Sequence, residues 1–190
     1  MSLPSILTMA HNLIQSAVGP GDIAIDATAG NGHDTLFLAR LVGNTGQVFS
    51  FDIQNEALAN SKKRLQEAGL SNRVTFVHAG HEEMIAHIQA HNRKSPIRGI
   101  MFNLGYLPKG DPQIITRPAS TLRALKQSLE LLDAGGMLTV VFYTGHPGGT
   151  EEARTALSFL ESLTSKQYQI IRYEMLNRNH APFLVAVYIP

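Results

Sequence analysis

Between Asp26 and Thr35 the sequence reads Asp-Ala-Thr-Ala-Gly-Asn-Gly-His-Asp-Thr, a glycine-bearing stretch that follows an apolar run and leads into a segment of helical period. Glycines at 30 and 32 can take positive φ and let the backbone approach a ligand closely. The helix start that follows offers free N–H groups to a carboxylate or phosphate. Asp52, 20 residues after Gly32, ends the next apolar run, where a carboxylate can accept hydrogen bonds from both hydroxyls of a ribose. Together these describe a nucleoside site. Asp26 bears on which nucleoside, because a carboxylate this close to the glycines would repel a pyrophosphate but suits a ligand carrying an ammonium and a sulfonium. Thr35 argues the same way, since dinucleotide-binding loops need a small residue there for close helix packing. The ligand-contacting residues expected here are Asp26, Thr28, Gly30, Asn31, Gly32, His33, Asp34, Thr35, Asp52 and Gln54.

Three later stretches carry further chemistry. Asn103-Leu-Gly-Tyr106 puts an amide and an aromatic ring just beyond an apolar run, with Asp111 close behind. His146 sits in Thr-Gly-His-Pro-Gly-Gly, whose glycines permit a tight turn around a ligand or simply a tight turn. His81, Glu82 and Glu83 follow the run ending at His78, and carboxylates there also suit the first turn of a helix. His87 and His91 lie four apart with no evident carboxylate or cysteine partner, so they read as a solvated helix face and no metal site is expected. Lys109, Arg117, Arg123 and Arg178 could present a modest basic surface to RNA phosphates, although each alone reads equally as a solvated side chain. Asn177 and Asn179 could meet base edges or merely cap a hairpin.

The elements that must hold these residues follow from alternation. After an amphipathic stretch over 3–18, apolar runs at 23–26, 47–52, 74–78, 99–103, 137–143, 169–175 and 183–189 predict seven strands. Segments of helical period at 34–41, 56–68, 82–91, 119–131 and 151–163 lie between them, the pattern of a parallel sheet with crossover helices. About seven residues separate the last two strands, too few for a helical crossover, so these two must form an antiparallel hairpin. With no repeat and no long linker, residues 1–190 read as one domain, 1–20 forming an N-terminal helical segment.

Five strands with crossovers and a terminal hairpin resemble the class I, Rossmann-like methyltransferases that use S-adenosyl-L-methionine (SAM). The Asp-x-x-x-Gly-x-Gly loop resembles their cofactor motif. Asn103 to Tyr106 resembles the Asn-Pro-Pro-Tyr motif of amino-group methyltransferases, with Leu104-Gly105 in place of the two prolines. The stretches 26–35, 103–111, 143–149 and 177–182, in that order, are similar to those of the rRNA-methylase (MnmM/YtqB) family across essentially the whole chain. That resemblance implies a SAM-dependent N-methyltransferase acting on the aminomethyl group of the wobble uridine in tRNA, forming 5-methylaminomethyl-2-thiouridine. It implies His81 or Glu82 at the adenine edge, Asn103 beside both cofactor and target amine, and Tyr106 against the base. His146 or Asp111 would receive a proton. Methylation of rRNA or of a small molecule keeps the same chemistry. A nonenzymatic module that binds SAM and RNA also stays open, since fold alone does not establish catalysis.

Composition sets outer bounds. The chain has 190 residues, 44% hydrophobic and 16% charged, enough apolar material for a core. With no cysteine, thiolate zinc sites, iron–sulfur clusters and thiol nucleophiles are excluded. A net charge of +1 neither demands nor forbids an RNA partner, so a polyanion site would have to be local. No signal-peptide pattern or membrane-spanning apolar run is evident, which places the protein in the cytoplasm. A domain this small carries no added RNA-binding module, and tRNA bound across a homodimer is one arrangement that would enlarge the surface.

Overall fold

The computed structural model describes residues 2–91, 95–105, 115–179 and 181–190. Seven strands form one sheet: β1 (Ile23–Asp26), β2 (Gln47–Asp52), β3 (Val74–His78), β4 (Ile97–Leu104), β5 (Met137–Phe142), β6 (Gln169–Tyr173) and β7 (Phe183–Tyr188). Their order is β3-β2-β1-β4-β5-β7-β6, with β7 antiparallel to β5 and β6 and the other neighbours parallel. The mostly parallel Rossmann-like sheet and its C-terminal hairpin thus match the expectation from alternation. Every residue of β1 and β5 is buried, as an unbroken apolar run requires when helices cover both faces of a parallel sheet.

Helices α1 (Ile6–Ala17), α2 (His33–Leu41) and α3 (Asn55–Glu67) pack one face through Ile14, Leu38 and Leu65. On the other face lie α4 (Met84–Gln89), α5 (Pro118–Leu131) and α6 (Gly149–Glu161), anchored by Ile88, Leu125 and Leu160. Gly99 lets α1 sit close on β4, for a Cβ there would stand 2.5 Å from Val18 Cγ2. Among the described residues no helix is long and apolar enough to cross a membrane.

One expected element differs. The helix read over 82–91 is a 3-10 turn, His81–Glu83, followed by the six-residue α4. The cause is Gln127 of α5, whose Nε2 donates to Glu82 O at 2.6 Å while its Oε1 accepts from Ile85 N at 3.0 Å. That side chain replaces the helical ladder at the join.

The register brings the strand ends that matter to one edge: Asp26 lies beside Ser50 and Met101, and Asp52 beside His78. Between β1 and α2 the chain turns through Gly30 (φ +50°) and Gly32 (φ +77°). Behind this turn Thr35 Oγ1 donates to Asp26 Oδ2 at 2.6 Å and lies 2.8 Å from Ser50 Oγ, while Ser61 Oγ of α3 donates to Thr35 Oγ1 at 3.4 Å. Thr35 therefore occupies the small-residue position because its hydroxyl supplies a buried carboxylate with a donor. Burial, reinforced by Asp34, raises the Asp26 carboxyl to about 7 against the hydrogen bonds from Thr35 and Thr28 N.

Two outcomes follow from this packing. A Cβ on Gly32 would meet Ser61 Oγ at 2.5 Å and Ser61 Cα at 2.7 Å, so Gly32→Ala should cost at least about 2 kcal/mol, read as a fall in Tm of roughly 4–8 °C. The Asp26 carboxyl binds its proton more tightly folded than unfolded, so its contribution is complete below about pH 4 and is lost as pH rises to about 7. Asp26→Asn should therefore gain on the wild type between pH 5 and pH 8, by at most about 4 kcal/mol, in denaturant midpoints taken across that range.

Candidate active site

A cavity of about 1030 Å³ opens along the carboxyl ends of the strands, at the upper end of the size range of ligand pockets and at the edge where parallel sheets bind ligands. Its wall comes from the β1–α2 turn, from residues 52–54 after β2, from 79–82 after β3, from Asn103 and Gly105, from 143–146 after β5, from Pro182 and from Leu7 of α1. Thr28, Gly30, Asn31, His33, Asp34, Asp52, Gln54, His81, Glu82, Asn103 and His146 all line it.

Three of the residues expected to contact the ligand do not reach this wall. Asp26 and Thr35 are fully buried behind it, facing each other rather than the cavity. Gly32 is turned against Ser61. The loop carboxylate that lines the cavity is thus Asp34, eight residues later, and Asp26 supports the turn from beneath.

Asp52 is held at the cavity by two backbone donors, Gly30 N to Oδ2 at 3.0 Å and Gln54 N to Oδ1 at 2.9 Å. A carboxylate has about four lone-pair sites, so capacity for two more hydrogen bonds remains. Asn31 is fixed by Asn60 Nδ2 at 3.1 Å and, through its carbonyl, by Arg64 Nε at 2.7 Å. Burial pulls the His81 imidazole below its ordinary range, which keeps it neutral, and the ring packs 5.5 Å from Phe102.

The amide at the end of β4 is tied on several sides. Asn103 N donates to Thr28 Oγ1 at 2.8 Å, and Asn103 Nδ2 donates to Asp34 Oδ2 at 2.6 Å. Asn103 Oδ1 is buried and, among the described residues, accepts no hydrogen bond. Leaving such an acceptor unmet costs about 1–3 kcal/mol, which a ligand donor would recover. Asp34, Asp52 and Glu82 make the wall acidic, with Arg117 at the mouth, a balance that favours a cationic ligand over a pyrophosphate.

Tyr106, Lys109 and Asp111 lie outside the described residues. Of the other basic residues, Arg117 lines the cavity mouth, whereas Arg123 and Arg178 are exposed away from the wall. Arg123 lies six residues along α5 from Arg117, about 9 Å down the helix axis. Arg178 sits in the connection between β6 and β7, on the same sheet edge as the cavity because β6 runs in the direction of β5.

Several wall residues escaped the sequence reading. Ile53 and Leu7 add apolar surface, and Tyr143 adds a phenol that burial and Asp34 hold above its ordinary range, hence protonated. His11 of α1 reaches the site through Asp34. Its signal is spacing, since His11 follows Leu7 by four and shares its helix face.

Comparison with known proteins agrees with this geometry. The profile of the family described as "Putative rRNA methylase" matches residues 48–188, and that of the protein-L-isoaspartate O-methyltransferases matches residues 1–88. A chloroplastic protein of Arabidopsis thaliana named tRNA (mnm(5)s(2)U34)-methyltransferase is 37% identical over 188 residues, which is 95% of this chain and 68% of that protein. An rRNA-methylase-type crystal structure from Clostridium thermocellum superposes with a TM-score of 0.94 at 42% identity, covering 100% of both chains. A methyltransferase-like protein of Streptococcus mutans, solved in complex with SAH, does so with a TM-score of 0.88 at 34% identity, again over 100% of both. With its profile matched over most of its length and relatives aligned nearly end to end, the chain belongs to the rRNA-methylase family.

Proposed function

We propose that the chain is a SAM-dependent N-methyltransferase that modifies the aminomethyl nitrogen of the wobble uridine in tRNA, forming 5-methylaminomethyl-(2-thio)uridine. The observation that carries this reading is Asn103, an amide at the cavity wall whose nitrogen is committed to Asp34 and whose buried oxygen awaits a donor. The name of the Arabidopsis relative, similar along 95% of this chain, supports the choice of tRNA.

The wall fits the methyl donor piece by piece. Asp52 accepts from the ribose hydroxyls with the capacity that Gly30 N and Gln54 N leave it. Ile53 and the neutral His81 flank the base, with Glu82 at its edge. Asp34 faces the ammonium, and the N–H groups at the start of α2 face the carboxylate. Bound there, SAM supplies an electrophilic methyl carbon on a sulfonium.

The protein's task is then alignment, which can contribute several kcal/mol, at most about 7–11. A primary alkyl amine is largely protonated at neutral pH, and only its neutral form has a lone pair to offer. The His146 imidazole, at the wall on the β5 side, receives that proton, with Asp111 as the alternative acceptor. Asn103 Oδ1 accepts one N–H of the neutral amine, turning the nitrogen lone pair toward the methyl carbon. With SAM in place, the new N–C bond would form as the C–S pair returned to sulfur, and the resulting secondary ammonium would release its extra proton to water. Arg117 at the mouth meets a phosphate of the tRNA anticodon region.

The direct assay is incubation with labelled SAM and bulk tRNA from a strain lacking this gene, followed by identification of the labelled nucleoside. The expected product is 5-methylaminomethyl-2-thiouridine; label in a different nucleoside, or no label at all, overturns the reading. Asn103→Ala should lower kcat roughly 10²-fold.

A further inference from the structure

The helix that precedes the sheet has a part in the site that its apolar packing does not explain. His11 lies one turn after Leu7, which lines the cavity. Its ring stacks on Phe37 of α2 with centroids 4.0 Å apart and planes 8° from parallel. Its Nε2 stands 2.7 Å from Asp34 Oδ1. The other oxygen of the same carboxylate, Oδ2, stands 2.6 Å from Asn103 Nδ2.

A carboxylate at these distances accepts and does not donate. His11 must therefore carry a proton on Nε2, and Asn103 must present its NH₂ end to Asp34. An amide has two ends, and a flip would set Asn103 Oδ1 against a carboxylate oxygen, which is repulsive. The end left for a ligand is thus the oxygen, buried and without a hydrogen-bond partner among the described residues. Thr28 Oγ1 secures the adjoining Asn103 N at 2.8 Å, so the backbone cannot rotate to compensate.

We propose that His11 is a positioning residue which, through Asp34, locks the Asn103 amide with its oxygen toward the acceptor and so commits the site to an attacking atom that bears hydrogen. A nitrogen without N–H gains nothing from this arrangement, whereas a primary amine offers both a hydrogen for Oδ1 and a lone pair for the methyl carbon. The inference rests on Asn103 meeting the target amine as proposed above. His11 itself touches neither ligand.

Two variants separate orientation from packing. His11→Phe keeps a ring over Phe37 and removes the donor, while His11→Gln restores a donor. With hypomodified tRNA, His11→Phe should lower kcat at least tenfold at saturating SAM while the tRNA KM stays within twofold. His11→Gln should recover to within about threefold of wild type. An unchanged kcat in His11→Phe, or a His11→Gln as impaired as His11→Phe, overturns the proposal. An NMR arm without tRNA keeps the two readings apart: the Asn103 side-chain NH₂ signals of the ¹⁵N-labelled protein should move in His11→Phe and return in His11→Gln. If wild type fails to methylate tRNA, the function assigned above falls while these signals still decide the amide lock, and signals indifferent to both variants overturn it.

Discussion

A turn of two positive-φ glycines, pressed against the backbone of α3, is the constraint on which the rest of the site depends. It lets the chain leave β1 and enter α2 within a few residues, so that Gly30 N reaches Asp52 at the end of the next strand and Asp34 reaches Asn103 at the end of the strand on the other side. A looser turn would carry α2 away from the sheet and break both links at once. The turn is in its own right costly, because it stands on a fully buried Asp26. The hydroxyls of Thr35, Ser50 and Ser61 meet that cost locally, leaving Asp34 and Asp52 to line the cavity in front of it.

Charge at the wall follows from this layering. Asp26 is masked by burial and partly neutral near pH 7, whereas Asp34 and Asp52 have accessible oxygens already organised by backbone or side-chain donors. Preorganised carboxylates of this kind hold a cation without rearranging when it arrives. The amide of Asn103 belongs to the same scheme, since it is Asp34 that decides which of its ends faces the ligand.

Period and punctuation made the sheet legible before any coordinates. Buried strands such as Ile23–Asp26 and Met137–Phe142 are mostly apolar runs, broken only by Asp26 and Thr139, and the short connection before β7 forced a hairpin. What escaped were effects of partners distant in sequence. Gln127 breaks the helix expected over 82–91 from 42–45 residues away, and no local pattern announces it. In the site, the glycine loop and Asp52 were readable from residue type and spacing. The placement of Asp26 and Asp34 was not, because which carboxylate is sealed from the cavity depends on Thr35, Ser50 and Ser61 closing over one of them. His11 was hidden for a related reason: in sequence it is one polar residue in an amphipathic helix, and only the packing of α1 over β4 and β5 carries it to Asp34.

The claim underlying all of this is that the acidic strand-end cavity holds a cationic nucleoside rather than a pyrophosphate. Isothermal titration of the wild-type protein with SAM, SAH and NAD tests it most directly, with Asp52→Asn as the internal control. The account predicts saturable heats for SAM and SAH, none for NAD, and at least a tenfold weaker SAM affinity in Asp52→Asn, about 1.4 kcal/mol. Binding of NAD in place of SAM, or a SAM affinity indifferent to Asp52, would contradict it.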